Sequence, residues 1–421
     1  MIEIIKLENN LKVITHPLKG TEAVTVLVLI ATGSRFEKSS ERGISHFLEH
    51  MFFKGGKKFT SSREVAAVID NVGGDFNAFT GKEYTGFYVK LAQKNEDIAF
   101  DVLSDMLLHA QFDQNEIEKE RGVILEEYNM YQDTPIYQIG WDFEKLLFAN
   151  HPMAWDQIGT KERIKNFTQE DFLHYKKSCY TNENITIVVT GNISSTKVIK
   201  KIKKYFPIKN NQKARKAQPF KNSDQNKNLS IKNKKTEQGH LVLGFPGVPF
   251  GSKEELSARI LATILGGNMS SRMFINIRDK MGLCYSIRTS TDHFSDVGVI
   301  STYAGVDIKR FKEAVVAIKN EYEKIKDQGI SEEELEKAKN FLIGKITLHL
   351  EDSEEMASFL GTQAVLKGKV KSETELFKKI ENITSQEINN LAKNLFKSNK
   401  MHLAAIGPFE DKKQELLEIL G

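Results

Sequence analysis

The chain reads as an α+β protein of two homologous domains, each an antiparallel sheet with helices packed on one face. Three observations lead there. First, 421 residues and 47.8 kDa are too many for one ordinary core, and two domains of about 200 residues each are the natural division. Second, strand-like runs end in glycine-containing turns and are each followed by an apolar helix: "VTVLVLIATGSR" then "GISHFLEHMFF", and "HLVLGFPGVPFG" then "LSARILATILGG". Third, the two halves repeat. "GFYVKLAQKNEDIAFDVLSDMLLHAQFDQNEIEKERGVILEEY" runs strand, helix, turn, helix, and so does "GVISTYAGVDIKRFKEAVVAIKNEYEKIKDQGISEEELEKAKNFLIGKI".

The elements follow in chain order. "IEIIKL" and "LKVITHP" are two short strands around the turn "ENN". "TVLVLIA" is a buried strand by its length and β-branching. "FDQNEIEKERGVILEE" and "ISEEELEKAKNFLIGK" are matching helices. Each opens on a cap residue, Asp113 or Ser331, with a glutamate three positions later. Residues 210–238 break the composition, being rich in Lys, Asn and Gln and poor in apolar side chains. They read as a solvated linker with one strand at "NLSIKN". The expected division is residues 1–209, the linker 210–238, and residues 239–421.

Composition excludes several classes. A net charge of +4 from 60 basic and 56 acidic residues does not suit a nucleic-acid binder driven by phosphate neutralisation. No run approaches the ~18 apolar residues of a membrane span. The first residues lack the basic and apolar regions of a signal peptide, so a bacterial-type cytoplasmic location is expected. Cys179 and Cys284 are far apart and outside any C-x-x-C pair, which points away from a disulfide framework and towards a reducing compartment.

The chemistry concentrates in "ISHFLEHMFFKGGKKF". His46, Glu49 and His50 read H-x-x-E-H. On a helix His46 and His50 lie one turn apart on one face and can share a Zn²⁺, with Glu49 beside them able to reach a water. A catalytic zinc takes three protein ligands, so one more His, Glu or Asp is required. The helix "QNEIEKERGVILEEYNMY" offers Glu120 and Glu127, two turns apart on one face, with Glu116 continuing the stripe; Glu126 is about 100° away and points elsewhere. The apolar "VIL" before Glu127 implies that this end of the helix is buried, where a carboxylate needs a partner or a metal.

With its 69-residue interval before Glu120 and six more residues before Glu127, the pattern resembles the inverted-zincin pitrilysin (M16) family of zinc peptidases. "HFLEHMFFKG", "GGDFNAFTGKEYTGFYVK" and "ERGVILEEYNMYQDTP" look most like the half-length branch that includes the mitochondrial processing peptidase β subunit and its bacterial relatives. The resemblance implies that His46, His50 and Glu127 bind zinc, that Glu49 is the general base, and that Glu120 supports the site. It implies that "FNAFT" is an edge strand to which an extended substrate adds, with Asn77 and Ala78 at the scissile region. It also implies that Arg278 and Tyr285 of "IRDKMGLCYSI" bind substrate and polarise its carbonyl. The implied activity is endopeptidase cleavage of extended or presequence-like peptides. The implied assembly is half of a clamshell that pairs as a homodimer, or as a heterodimer with a non-catalytic homologue. A non-catalytic structural subunit of the same family is the alternative.

The repeat bears on that choice. Opposite Glu120 and Glu127 stand Ala338 and Lys345, and opposite the histidine motif stands "ILGGN", offering at most Asn268. One copy keeps the metal-type residues and the other has lost them, as a duplicated fold with one active copy would.

Overall fold

A computed structural model describes residues 1–221 and 228–420. The chain forms two compact units that are not contiguous halves. The first comprises Met1–Asn129, Trp155–Gln218 and Thr347–Ser372; the second comprises Met130–Ala154, Pro219–Ile346 and Glu373–Gly421. Part of the expected linker, residues 222–227, lies outside the described residues; the strand expected at "NLSIKN" is present.

The first unit is built on six strands: β1 (Glu3–Lys6), β2 (Lys12–Pro17), β3 (Ala23–Ile30), β4 (Asp75–Thr80), β5 (Thr85–Ala92) and β6 (Ile185–Gly191). Their order is β1-β2-β6-β3-β5-β4, so β4 is an edge. All pairs are antiparallel except β2 with β6. The second unit has β7 (Leu229–Asn233), β8 (Gly239–Gly247), β9 (Cys284–His293), β10 (Gly298–Val306) and β11 (His402–Gly407), in the order β7-β11-β8-β10-β9. Again one pair, β7 with β11, is parallel.

Helices pack against each sheet, and among the described residues one face of each is covered by a helix drawn from the other half of the chain. In the first unit Met356, Ala357, Leu360 and Ala364 of helix Ser353–Lys367 close over Ile14, Leu27, Leu29 and Val188. In the second, Ile139, Phe143 and Leu147 of helix Pro135–Phe148 close over Val242, Val299, Ala404 and Ile406. This accounts for strands such as "AVTVLVLI", in which seven successive residues are buried: a strand covered on both faces reads as continuously apolar. At Gly361 helix 353–367 comes so close to the sheet that a Cβ would stand 2.3 Å from Leu29 Cδ1.

The two matching helices begin where their caps direct. Helix Gln114–Asp133 follows Asp113, whose Oδ1 accepts the N–H groups of Asn115 (2.9 Å) and Glu116 (3.2 Å). Helix Glu332–Leu350 follows Ser331, whose Oγ accepts Glu334 N–H at 3.2 Å.

Candidate metal centre

The site stands on two helices of the first unit. Helix Ile44–Phe52 buries Ile44, Phe47, Leu48 and Met51, so His46, Glu49 and His50 fall on its opposite side. Helix 114–133 buries Ile117, Glu120 and Ile124 and brings Glu127 to the same place. The apolar run before Glu127 divides between environments: Ile124 is buried, but Val123 is 53 % exposed because it lies on the open side of the helix. Glu116 does not continue the site. It pairs with Lys119 at the surface at 2.5 Å.

One donor atom each from His46, His50 and Glu127 lies within 4.8 Å of the others. His46 Nε2 is 3.6 Å from Glu127 Oε1, and His50 Nε2 is 3.6 Å from Glu127 Oε2. These gaps exceed a hydrogen bond. Two ligands at about 2.1 Å from a tetrahedral zinc stand roughly 3.4 Å apart. Two imidazole nitrogens and a carboxylate are donors that zinc accepts, so the residues present fit that ion.

The neighbours explain the donor orientation. His50 Nδ1–H donates to Glu120 Oε1 at 2.8 Å, which leaves the Nε2 lone pair facing Glu127. Glu120 is 6 % exposed and also pairs with the Lys54 ammonium. Burial alone would raise its pKa, but the His50 and Lys54 hydrogen bonds outweigh that and hold it below the usual carboxylate value. Burial would lower the pKa of His50; its bond to Glu120 and the charges of Glu127, Glu49 and Glu120 raise it instead. At this site the buried Glu49 Oε2 and His46 Nδ1 have no hydrogen-bond partner among the described residues.

Asn77 and Ala78 lie on the edge strand β4, opposite Tyr88 and Phe87 of β5. Helix 44–52 packs against this strand, so its open edge lies beside the helix that carries the histidines. Arg278 and Tyr285 belong to the second unit and are brought together with each other. The Arg278 guanidinium lies 4.4 Å from the Phe274 ring centre and 5.6 Å from that of Tyr285, which is 79 % exposed. At the positions opposite the metal-type residues, Ala338 is buried and Lys345 exposed. Asn268 turns its Oδ1 to the N–H and Oγ of Ser270.

Sequence reasoning missed Lys54, Glu37 and Asp105. Lys54 was within reach, since it follows His50 by four residues and so shares its face. Glu37 and Asp105 bond to backbone N–H groups, which no motif reveals: Glu37 those of Gly43 and Ser45, Asp105 those of Lys57, Lys58 and Phe59.

Residues 12–146 match the family model described as Insulinase (Peptidase family M16), and residues 166–342 the one described as Peptidase M16 inactive domain. The chain is 34 % identical over 408 residues to the "Uncharacterized zinc protease YmxG" of Bacillus subtilis, across 97 % of this chain and 98 % of that protein. A protease structure from Helicobacter pylori superimposes with a TM-score of 0.91 at 25 % identity, covering 97 % of this chain and 99 % of that one. A peptidase M16 inactive domain from Pseudomonas fluorescens shares the fold at 15 % identity, with a TM-score of 0.89 over 97 % and 98 % of the two chains. With a histidine–glutamate cluster that fits zinc and relatives matched along nearly its whole length, this chain belongs to the M16 (insulinase) family of zinc peptidases.

Proposed function

We propose that the chain is a zinc-dependent endopeptidase of the processing-peptidase type, acting on extended or presequence-like peptides within a dimer, in a reducing compartment such as a bacterial cytosol. The observation that carries this reading is the convergence of His46 Nε2, His50 Nε2 and both Glu127 oxygens beside the unpaired Glu49 Oε2. His46, His50 and Glu127 would hold the zinc. When bound, it makes a water acidic enough to attack near neutral pH and polarises the substrate carbonyl. Glu49 takes the proton of the attacking water and passes it to the leaving amine. Glu120 keeps His50 in the tautomer that points Nε2 at the site. β4 is an edge strand, and a peptide that adds beside Asn77 and Ala78, where Asn77 Oδ1 accepts Ala78 N–H at 2.9 Å, would be held with little demand on its sequence. Arg278 and Tyr285 would also bind substrate, as the family resemblance implies.

The free cysteines suit a reducing setting, and no described helix is long and apolar enough to cross a membrane. Dimerisation is part of what the family resemblance implies.

The test is hydrolysis of a quenched-peptide library by the zinc-loaded protein, with products read by mass spectrometry. Glu49→Gln is expected to keep zinc and lose hydrolysis by at least ~100-fold, while His50→Ala loses both. Zinc-loaded wild type that cleaves nothing across a broad panel sinks the peptidase reading.

A further inference from the structure

A nine-residue helix is too short to be stable by itself, and helix 44–52 has nothing of its own at its start. Gly43, at the N-cap, has no side chain, and no acidic residue stands in the first turn. What the helix lacks comes from Glu37, which is 4 % exposed. Its Oε2 accepts Gly43 N–H and its Oε1 accepts Ser45 N–H, each at 2.9 Å. One side chain that accepts two N–H groups fixes both the direction and the rotation of the first turn. The turn is closed in from other sides as well. Ser45 Oγ and Tyr175 Oη share a hydrogen bond at 2.8 Å. Gly43 adopts φ 95°, and a Cβ there would meet Ile158 O at 2.5 Å, so glycine alone fits.

The residue after Ser45 is His46, and the two histidines are held in different ways. His50 is oriented by its bond to Glu120. His46 Nδ1 is buried with no hydrogen-bond partner among the described residues. Imidazoles that ligate a metal are ordinarily tied at their second nitrogen. Without that tie, the aim of the His46 ring depends on its backbone and packing.

We propose that Glu37 is a positioning residue for His46: by clamping the Gly43 and Ser45 N–H groups it pre-forms the first turn of the helix and aims Nε2 at the point shared with His50 and Glu127. The proposal rests on the metal-centre reading above. Glu37 touches neither substrate nor metal and acts only through the backbone.

Two measurements test it. The first is amide hydrogen exchange of Ser45 to His50 in metal-stripped wild type. The expected result is protection of ~100-fold or more over the unfolded chain, changed little by adding zinc. The second is zinc affinity, by chelator competition, of Glu37→Gln and Glu37→Asp against Val198→Ala. Val198 is a buried core residue of the same unit, on helix Ser195–Tyr205, so its truncation controls for general destabilisation. Glu37→Gln is expected to weaken zinc by ~10-fold or more, with Glu37→Asp between it and wild type and Val198→Ala within about twofold of wild type. Stripped wild type that exchanges these amides at the unfolded rate and gains protection only with zinc overturns the proposal. So does Glu37→Gln binding zinc as tightly as Val198→Ala. Wild type that binds no zinc overturns the metal-centre reading instead, and the exchange data still decide what Glu37 does. They also decide the matter if the Glu37 variants do not fold.

Discussion

Replacing Glu120 with alanine removes one carboxylate and leaves two donors behind it. His50 Nδ1–H loses its acceptor at 2.8 Å, and the Lys54 ammonium loses its counter-charge. The imidazole is then free to rotate or to adopt the other tautomer, in which Nε2 carries the proton and cannot ligate. Loss of an outer partner of this kind weakens metal binding by about 10–100-fold, or ~1.4–2.7 kcal/mol. Lys54 is partly exposed and can turn to water, so its lost partner adds only ~1 kcal/mol or less to the stability deficit. Zinc affinity should therefore fall far more than stability. Glu120→Gln keeps an acceptor oxygen and should fall between alanine and wild type. The assay is competition with a chromophoric chelator at neutral pH and fixed ionic strength, paired with urea unfolding of the stripped proteins. If Glu120→Ala binds zinc within about twofold of wild type, the orienting bond is immaterial and the reasoning fails.

Three further outcomes are expected. Gly361→Val drives a side chain into Leu29 and Val188, where a Cβ alone would stand 2.3 and 3.1 Å away; it should destabilise the first unit by about 1–3 kcal/mol, seen as a lowered melting temperature. Asp105→Ala strips the acceptor from the N–H groups of Lys57, Lys58 and Phe59, at 2.9–3.1 Å; a loss of ~1–3 kcal/mol and faster exchange of those amides should follow. Glu37 has its pKa raised from 4.5 to about 7 by burial, against the hydrogen bonds from Gly43 and Ser45 and with repulsion from Glu41 adding to the rise. Its folded state holds the proton more tightly than the unfolded chain does. The stabilisation from this group is thus full below the unfolded value and is lost as pH rises towards 7, by about 3 kcal/mol in all. The unfolding free energy of wild type minus that of Glu37→Gln should fall by that order between pH 5 and 8, and parallel curves would refute it.

Much of the site was legible because it is written in helical periodicity. His46 and His50 at four residues, and Glu120 and Glu127 at seven, place side chains on one face whatever the rest of the fold does. Asp113 and Ser331 announced their helices because a cap is a local bond between near neighbours. Contacts that run through the backbone across distant segments stayed hidden. Glu37 reaches two N–H groups, and an N–H group is the same in every residue but proline. Val123 also misled, since three apolar residues in a row on a helix cannot all face one core. Nor does a repeat tell which sheet a helix joins. Helices 135–148 and 353–367 are apolar on one side in either case, and only tertiary packing sends each to the other half's sheet.

That exchange constrains how the molecule comes into being. Leu29 waits for Leu360 and Val188 for Gly361, so the sheet beside the histidine motif keeps one apolar face open until nearly nine-tenths of the chain has left the ribosome. Every candidate zinc ligand is made within the first 127 residues, yet a fragment of that length would expose Ile14, Leu27 and Leu29 to water. The duplicated half that lost its metal residues therefore cannot be discarded by truncation, because helix 353–367, which covers the sheet beside the site, belongs to that half of the sequence.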